Sequence, residues 1–106
     1  MKLTQIPLVS IIIVNYNGRP FLDDCLSSLN KIDYANIEII LVDNFSSDDS
    51  LNFVKKEYSN IICIELEKNF GFAKPNNLGA KIAKGKYLLF LNNDTIVESN
   101  FITELV

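Results

Sequence analysis

The sequence predicts an α/β domain of three layers, α/β/α, built on a mainly parallel sheet. Three observations carry this reading. Four short apolar runs, VSIIIV, IEIILV, IICIEL and YLLFL, are rich in β-branched or aromatic residues, as strands are, and the first two suit strands covered on both faces. Segments with apolar residues at helical spacing separate them. The resulting order β-α-β-α-β-α-β calls for parallel strands joined by right-handed crossovers.

Each element follows from local chemistry. Residues 9–14 form the first strand and NYNGRP turns the chain; Phe21, Leu22, Cys25, Leu26 and Leu29 then share one stripe of a helix over 20–30, with Pro20 at its first position. Residues 37–42 form the second strand, and the Ser and Asp residues of DNFSSDDS cap a helix starting near 48 whose inner face carries Leu51, Val54 and Tyr58. The third strand covers 61–66. NFGFAKPNN is a loop feeding a helix over 76–84, for which Gly85 is the expected left-handed terminator. The fourth strand covers 87–91, and an amphipathic segment follows over 101–106.

Composition narrows the function. With 106 residues and 48% hydrophobic content the chain can bury one real core. Thirteen acidic against ten basic residues, a net charge of −3, argue against a duplex nucleic-acid binder that relies on a positive field, so any phosphate must be held locally. The absence of histidine excludes a Ser-His-Asp triad, a Cys-His pair and histidine metal ligation, leaving carboxylates for acid–base or metal work. Cys25 and Cys63 read as reduced core residues. No run reaches the ~18 apolar residues that span a bilayer, and MKLTQIPLVS lacks a signal peptide's apolar core, so a cytoplasmic location is expected.

Ligands of open parallel sheets bind outside the carboxyl ends of the strands. There the polar residues gather: Asn15-Tyr16-Asn17-Gly18 after the first strand, Asp43-Asn44 after the second, Asn69-Phe70-Gly71 beyond the third and Asn92-Asn93-Asp94 after the fourth. VSIIIVNYNG, IEIILVDNFSSDDS and NFGFAKPNNLGAKIAKGKYLLFLNNDT, in that order, resemble the start of the family 2 glycosyltransferases, which have the Rossmann-like GT-A fold. The match runs from about residue 8 to 106, and NNDT is similar to the rhamnosyltransferase-like branch.

The resemblance implies a role for each strand end. Tyr16 would pack on a pyrimidine ring while Asn15 and Asn17 shape its loop. Asp43, with Asn44 beside it, matches the aspartate that accepts a hydrogen bond from the base imide; helix capping, the other use for such a carboxylate, falls to Ser46, Ser47, Asp48 and Asp49. Asn92-Asn93-Asp94 takes the place of the metal-binding D-x-D motif. Asp94 would be the carboxylate for Mg²⁺ or Mn²⁺, with two diphosphate oxygens and waters completing the shell, and Asn93 would face the ribose with an amide where many members carry Asp. Asn69, Gly71 and Asn76 lie in the loop used near the diphosphate and donor sugar, although loop-stabilising hydrogen bonds explain the same residue types. Lys74-Pro75 departs from the small residue and glycine of many relatives: Lys74 reaches either a phosphate or solvent, and Pro75 starts the helix.

The implied activity is transfer of a sugar from a UDP- or dTDP-sugar to a glycan or lipid-linked acceptor hydroxyl, with inversion, in polysaccharide biosynthesis at or near the membrane. The acceptor's base is expected beyond Val106, so residues 1–106 read as one truncated donor-binding domain. Background transfer, and a dimer through surface that the truncation exposes, are the matching expectations. Two alternatives stay open: a nucleotide-binding module without transfer, and a nucleotidyltransferase, which would carry a glycine- and basic-rich loop where Asn15 to Arg19 is short. A dinucleotide-dependent dehydrogenase lacks its G-x-G-x-x-G here.

Overall fold

A computed structural model of the protein describes residues 6–105. Four parallel strands, β1 Val9–Asn15, β2 Ile37–Asp43, β3 Ile62–Glu65 and β4 Tyr87–Asn92, lie in the order β3-β2-β1-β4. The helices α1 Arg19–Asn30, α2 Ser50–Glu57, α3 Ala73–Ile82 and α4 Phe101–Leu105 cover the sheet. Alternation along β1 sorts the layers. Val9, Ile11 and Ile13 pack with Leu22, Leu26 and Leu29 of α1, Val54 of α2 and Ile102 of α4, whereas Ile12, with Ile40 and Val42, packs toward Ala80 of α3 and Ala83 just beyond it. The three-layer parallel architecture expected from the sequence is what forms.

Several local expectations need correcting. Gly85 does not terminate α3 in a left-handed conformation: the helix ends at Ile82, its cap residue Ala83 is extended, and Gly71 is the glycine with positive φ among the described residues. Gly85 is instead required by contact, because a Cβ there would lie 2.7 Å from the backbone nitrogen of Ser10. The helix also starts three residues earlier than expected, at Ala73, which puts Pro75 inside its first turn. Phe21, placed on the inner stripe of α1, is exposed, while Leu22, Cys25, Leu26 and Leu29 are buried as expected. Both cysteines are free, Cys25 buried and Cys63 half-buried.

At the amino-terminal end of the sheet Glu38 ties three segments together. Its Oε2 accepts hydrogen bonds from Ser10 Oγ (2.6 Å) and the Lys84 backbone N–H (2.7 Å), and Ser10 Oγ accepts from the Gly85 N–H (2.8 Å). The Ser10 bond, then the Lys84 N–H, hold the Glu38 carboxyl below its usual pKa. A lowered folded-state pKa stabilises the fold above the unfolded carboxyl pKa, and that contribution is lost as pH falls through the lowered value. Glu38→Gln should therefore cost on the order of 1 kcal/mol near neutrality. The difference from wild type should shrink as the pH falls through the lowered Glu38 pKa, which urea denaturation over an acid pH series reads directly.

Candidate functional site

β1 and β2 finish in register, with Asn15 opposite Asp43, so their terminal side chains meet at the carboxyl end of the sheet. Both are buried, Asp43 to 2% exposure. A carboxylate so enclosed must be matched by donors. Asp43 Oδ1 accepts from Asn15 Nδ2 (3.0 Å) and Ser46 Oγ (2.7 Å), and Oδ2 accepts from the Ser46 backbone N–H (3.0 Å). Asn15 extends the chain of bonds, since its Oδ1 accepts from Asn93 Nδ2 at 2.9 Å. One polar network thus joins the loops after β1, β2 and β4.

Two backbone features follow from it. A Cβ on Gly18 would run into Asn15 Oδ1 and Asn93 Nδ2, so the α1 entry passes the network as closely as glycine allows. Asn17 and Phe45 adopt positive φ, 51° and 69°. Asparagine tolerates this region; phenylalanine does so at a cost, met here because Asn44 and Ser46 on either side are fixed by hydrogen bonds. Asn17 binds the β2–α2 loop twice over: its N–H donates to Ser46 Oγ (2.9 Å) and its Oδ1 accepts from the N–H groups of Ser47 (2.7 Å) and Asp48 (3.2 Å). Asp48 in turn accepts from the Ser50 N–H at 3.0 Å, ahead of α2, which starts at Ser50 and not near 48 and whose cap residue Asp49 makes no side-chain capping bond, while Arg19 pairs with Asp49 and lies 3.7 Å above the Phe53 ring.

Asn44 organises the remaining wall. Its Nδ2 donates to Asn69 Oδ1 (3.1 Å) and the Gly71 carbonyl (2.7 Å), and its Oδ1 accepts from the Phe70 N–H (2.9 Å). Gly71 supplies the positive φ, 79°, with which this loop turns toward α3. Lys74 does not extend freely, since its ammonium rests 4.1 Å from the centre of the Phe70 ring.

Above the network lies an open cleft of about 430 Å³, and Tyr16, Asn44, Asn69, Gly71, Asn93 and Asp94 all line it. Tyr16 is 51% exposed, a ring offered to whatever enters. The structure thus brings six of the ten candidate residues to one cleft. Asn15, Asn17 and Asp43 serve the polar network that supports it. Asn76 lies apart, in an adjoining groove with Phe72 and Phe90. Two residues escaped the sequence reading. Ser46, taken as a helix cap, bridges Asp43 and Asn17, a role the D-x-x-S spacing of a side-chain-closed turn signals. Phe72 lines both cleft and groove, and no motif flagged it.

Asp94 is the one carboxylate among the cleft-lining residues, and the described residues contain no cluster of three acidic or cysteine side chains able to enclose an ion. That donor set fits Mg²⁺ or Mn²⁺ only where phosphate oxygens and water supply most of the shell. Behind Asp94, burial pushes the Cys25 thiol up to about 11, the Thr95 N–H offsets part of this and the Asp94 charge adds to it, so the thiol stays protonated near neutral pH.

Residues 10–106 match the family model described as Glycosyl transferase family 2. The chain belongs to this family. Similar proteins include the glycosyltransferase GlyG of Streptococcus pneumoniae serotype 4, 34% identical over 101 residues that make up 92% of this chain and 34% of that protein. Another is the Escherichia coli UDP-Glc:alpha-D-GlcNAc-diphosphoundecaprenol beta-1,3-glucosyltransferase WfaP, 42% identical over 88 residues, 82% of this chain and 35% of that one. Among solved structures, S. aureus TarS in complex with UDP-GlcNAc superposes with a TM-score of 0.86 at 30% identity, covering 92% of this chain and 29% of that one. The family 2 chain thus spans about a third of the length of these curated relatives, at 34% and 35%.

Proposed function

We propose that the cleft binds a nucleotide diphosphate sugar, with a UDP- or dTDP-sugar favoured, as the donor site of a glycosyltransferase acting on a glycan or lipid-linked hydroxyl. The observation that carries this reading is the meeting of Tyr16, Asn93 and Asp94 in one cleft at the carboxyl end of a parallel sheet. The binding of UDP-GlcNAc by TarS, and the UDP-Glc in the description of WfaP, support it. Asp94 would hold Mg²⁺ or Mn²⁺, which supplies charge neutralisation for the departing diphosphate. Tyr16 would carry the base, and Asn69 and Gly71 would border the diphosphate. No further cleft carboxylate among the described residues is left to deprotonate the acceptor, because Asp94 is the only one and is given to the metal.

The pyrimidine preference is tested by calorimetry with UDP, dTDP, ADP and GDP under one metal concentration. UDP and dTDP should bind about tenfold tighter than the purine nucleotides, a difference of about 1.4 kcal/mol. Equal affinities across the four would contradict the assignment of Tyr16 and its loop to a pyrimidine.

A further inference from the structure

Charge is unevenly placed along the chain. Residues 68–93 hold Lys68, Lys74, Lys81, Lys84 and Lys86 and no carboxylate, although the chain as a whole is acidic, with a net charge of −3. The fold turns this into a difference between faces. α3 packs on the Ile12, Ile40 and Val42 side of the sheet, whereas Asp23 and Asp24 of α1, Glu57 of α2 and Glu104 of α4 belong to helices on the opposite side.

Spacing sends the α3 lysines outward. Pro75 and Gly79 are the buried positions of the helix, and Lys74, Asn77 and Lys81, at i, i+3 and i+7, are exposed on the other stripe. Lys68 joins them at the start of the helix, because its ammonium and that of Lys74 lie 5.2 and 4.1 Å from the centre of the same Phe70 ring. Glu38 faces Lys84 and offsets that charge. Arg19 with Asp49 is the one ion pair among the described residues, so Lys68, Lys74 and Lys81 present theirs to solvent. Large apolar side chains stand among them: Phe72, the cap residue of α3, is 68% exposed, and Ile82, its last residue, 44%. Lysines interleaved with exposed apolar groups match the headgroup region of an anionic bilayer, where ammonium groups meet phosphates and rings and alkyl groups pass beneath them. A nucleic acid would use the lysines and leave Ile82 in water.

We propose that the α3 face is a docking surface for an anionic phospholipid bilayer, with Lys68, Lys74 and Lys81 meeting lipid phosphates and Phe72 and Ile82 entering the interface. No helix among the described residues is long and apolar enough to cross a membrane, so the contact is peripheral. Phe72 also lines the nucleotide cleft, so the docked bilayer borders it. The docking stands apart from the donor reading, since Lys74, Lys81 and Ile82 do not line the cleft.

The test is cosedimentation with vesicles of phosphatidylcholine alone and of phosphatidylcholine with phosphatidylglycerol in equal amounts. Wild-type protein should partition onto the anionic vesicles, less so as NaCl is raised. Lys74→Gln with Lys81→Gln should weaken partitioning about twentyfold, from about fivefold for each lysine. Ile82→Ser should weaken it about threefold by removing apolar contact. Lys55→Gln with Lys56→Gln makes the same change in net charge on α2, across the sheet, and should alter partitioning by less than about twofold, because screening confines the attraction to the near face. Equal losses in the two lysine pairs, equal binding to phosphatidylcholine alone, or capture of a single-stranded RNA but not of vesicles would overturn the proposal.

Discussion

Asp43→Ala is expected to lower folding stability by about 2–4 kcal/mol and to abolish nucleotide binding with it. The carboxylate receives donors from Asn15 Nδ2, Ser46 Oγ and the Ser46 N–H, and Asn15 is fully buried. A buried donor left without its acceptor costs about 1–3 kcal/mol, and the half-buried Ser46 can recover part of its share from water. The damage then spreads: Asp43 is the acceptor shared by Ser46, which also holds Asn17, and by Asn15, which also holds Asn93, so the walls of the cleft lose their common anchor and keep only the 3.3 Å bond from Asn15 to Ser46 between them. Asp43→Asn should cost less, on the order of 1 kcal/mol, because an amide oxygen still accepts. Urea denaturation beside UDP calorimetry decides the matter. Lost UDP binding with stability within about 0.5 kcal/mol of wild type would mean that Asp43 contacts the base directly and does not serve as the anchor.

The difference between these two roles shows where sequence reasoning reached its limit. The strands VSIIIVN and IEIILVD were legible because buried parallel strands read as unbroken apolar runs, and their equal length puts Asn15 beside Asp43. Asn and Asp at the carboxyl ends were legible as a site for the same reason, since topology alone brings those ends together. Which partner each side chain takes there was not legible: Asn15 and Asn17, expected to shape the loop, bond across to β2 and its following loop, and Asn44, expected beside the base, grips residues 69–71. The partner of an amide depends on distances of a few tenths of an ångström that no spacing rule supplies.

Gly85 failed in a similar way. Glycine after a helix usually marks a left-handed cap, but here it marks the close pass of the α3–β4 loop beside Ser10, a tertiary contact invisible to local pattern. Phe72 and Phe90 were hidden for the opposite reason. Both sit in motifs read as a loop and a strand, and only the tertiary packing, with α3 lying mainly over β1 and β2, shows that their rings stay exposed.

The claim on which the account turns is that Asp94 holds a divalent ion against a diphosphate. Among the described residues no second carboxylate lines the cleft to compensate for its loss, so the expected effect of substitution is large. Mn²⁺ or Mg²⁺ should tighten UDP binding to wild-type protein by about tenfold or more, at least 1.4 kcal/mol, through attraction between a hard cation and phosphate oxygens. Asp94→Ala should remove that enhancement and leave the denaturation midpoint near wild type, because Asp94 is exposed and outside the polar network. The most direct measurement is a calorimetric titration of UDP-N-acetylglucosamine into wild-type and Asp94→Ala protein, each with Mn²⁺ and with chelator. Metal-dependent tightening is expected in the wild type, with affinities for the variant that match with and without metal. Metal enhancement that persists in Asp94→Ala, or wild-type binding indifferent to metal, would contradict it.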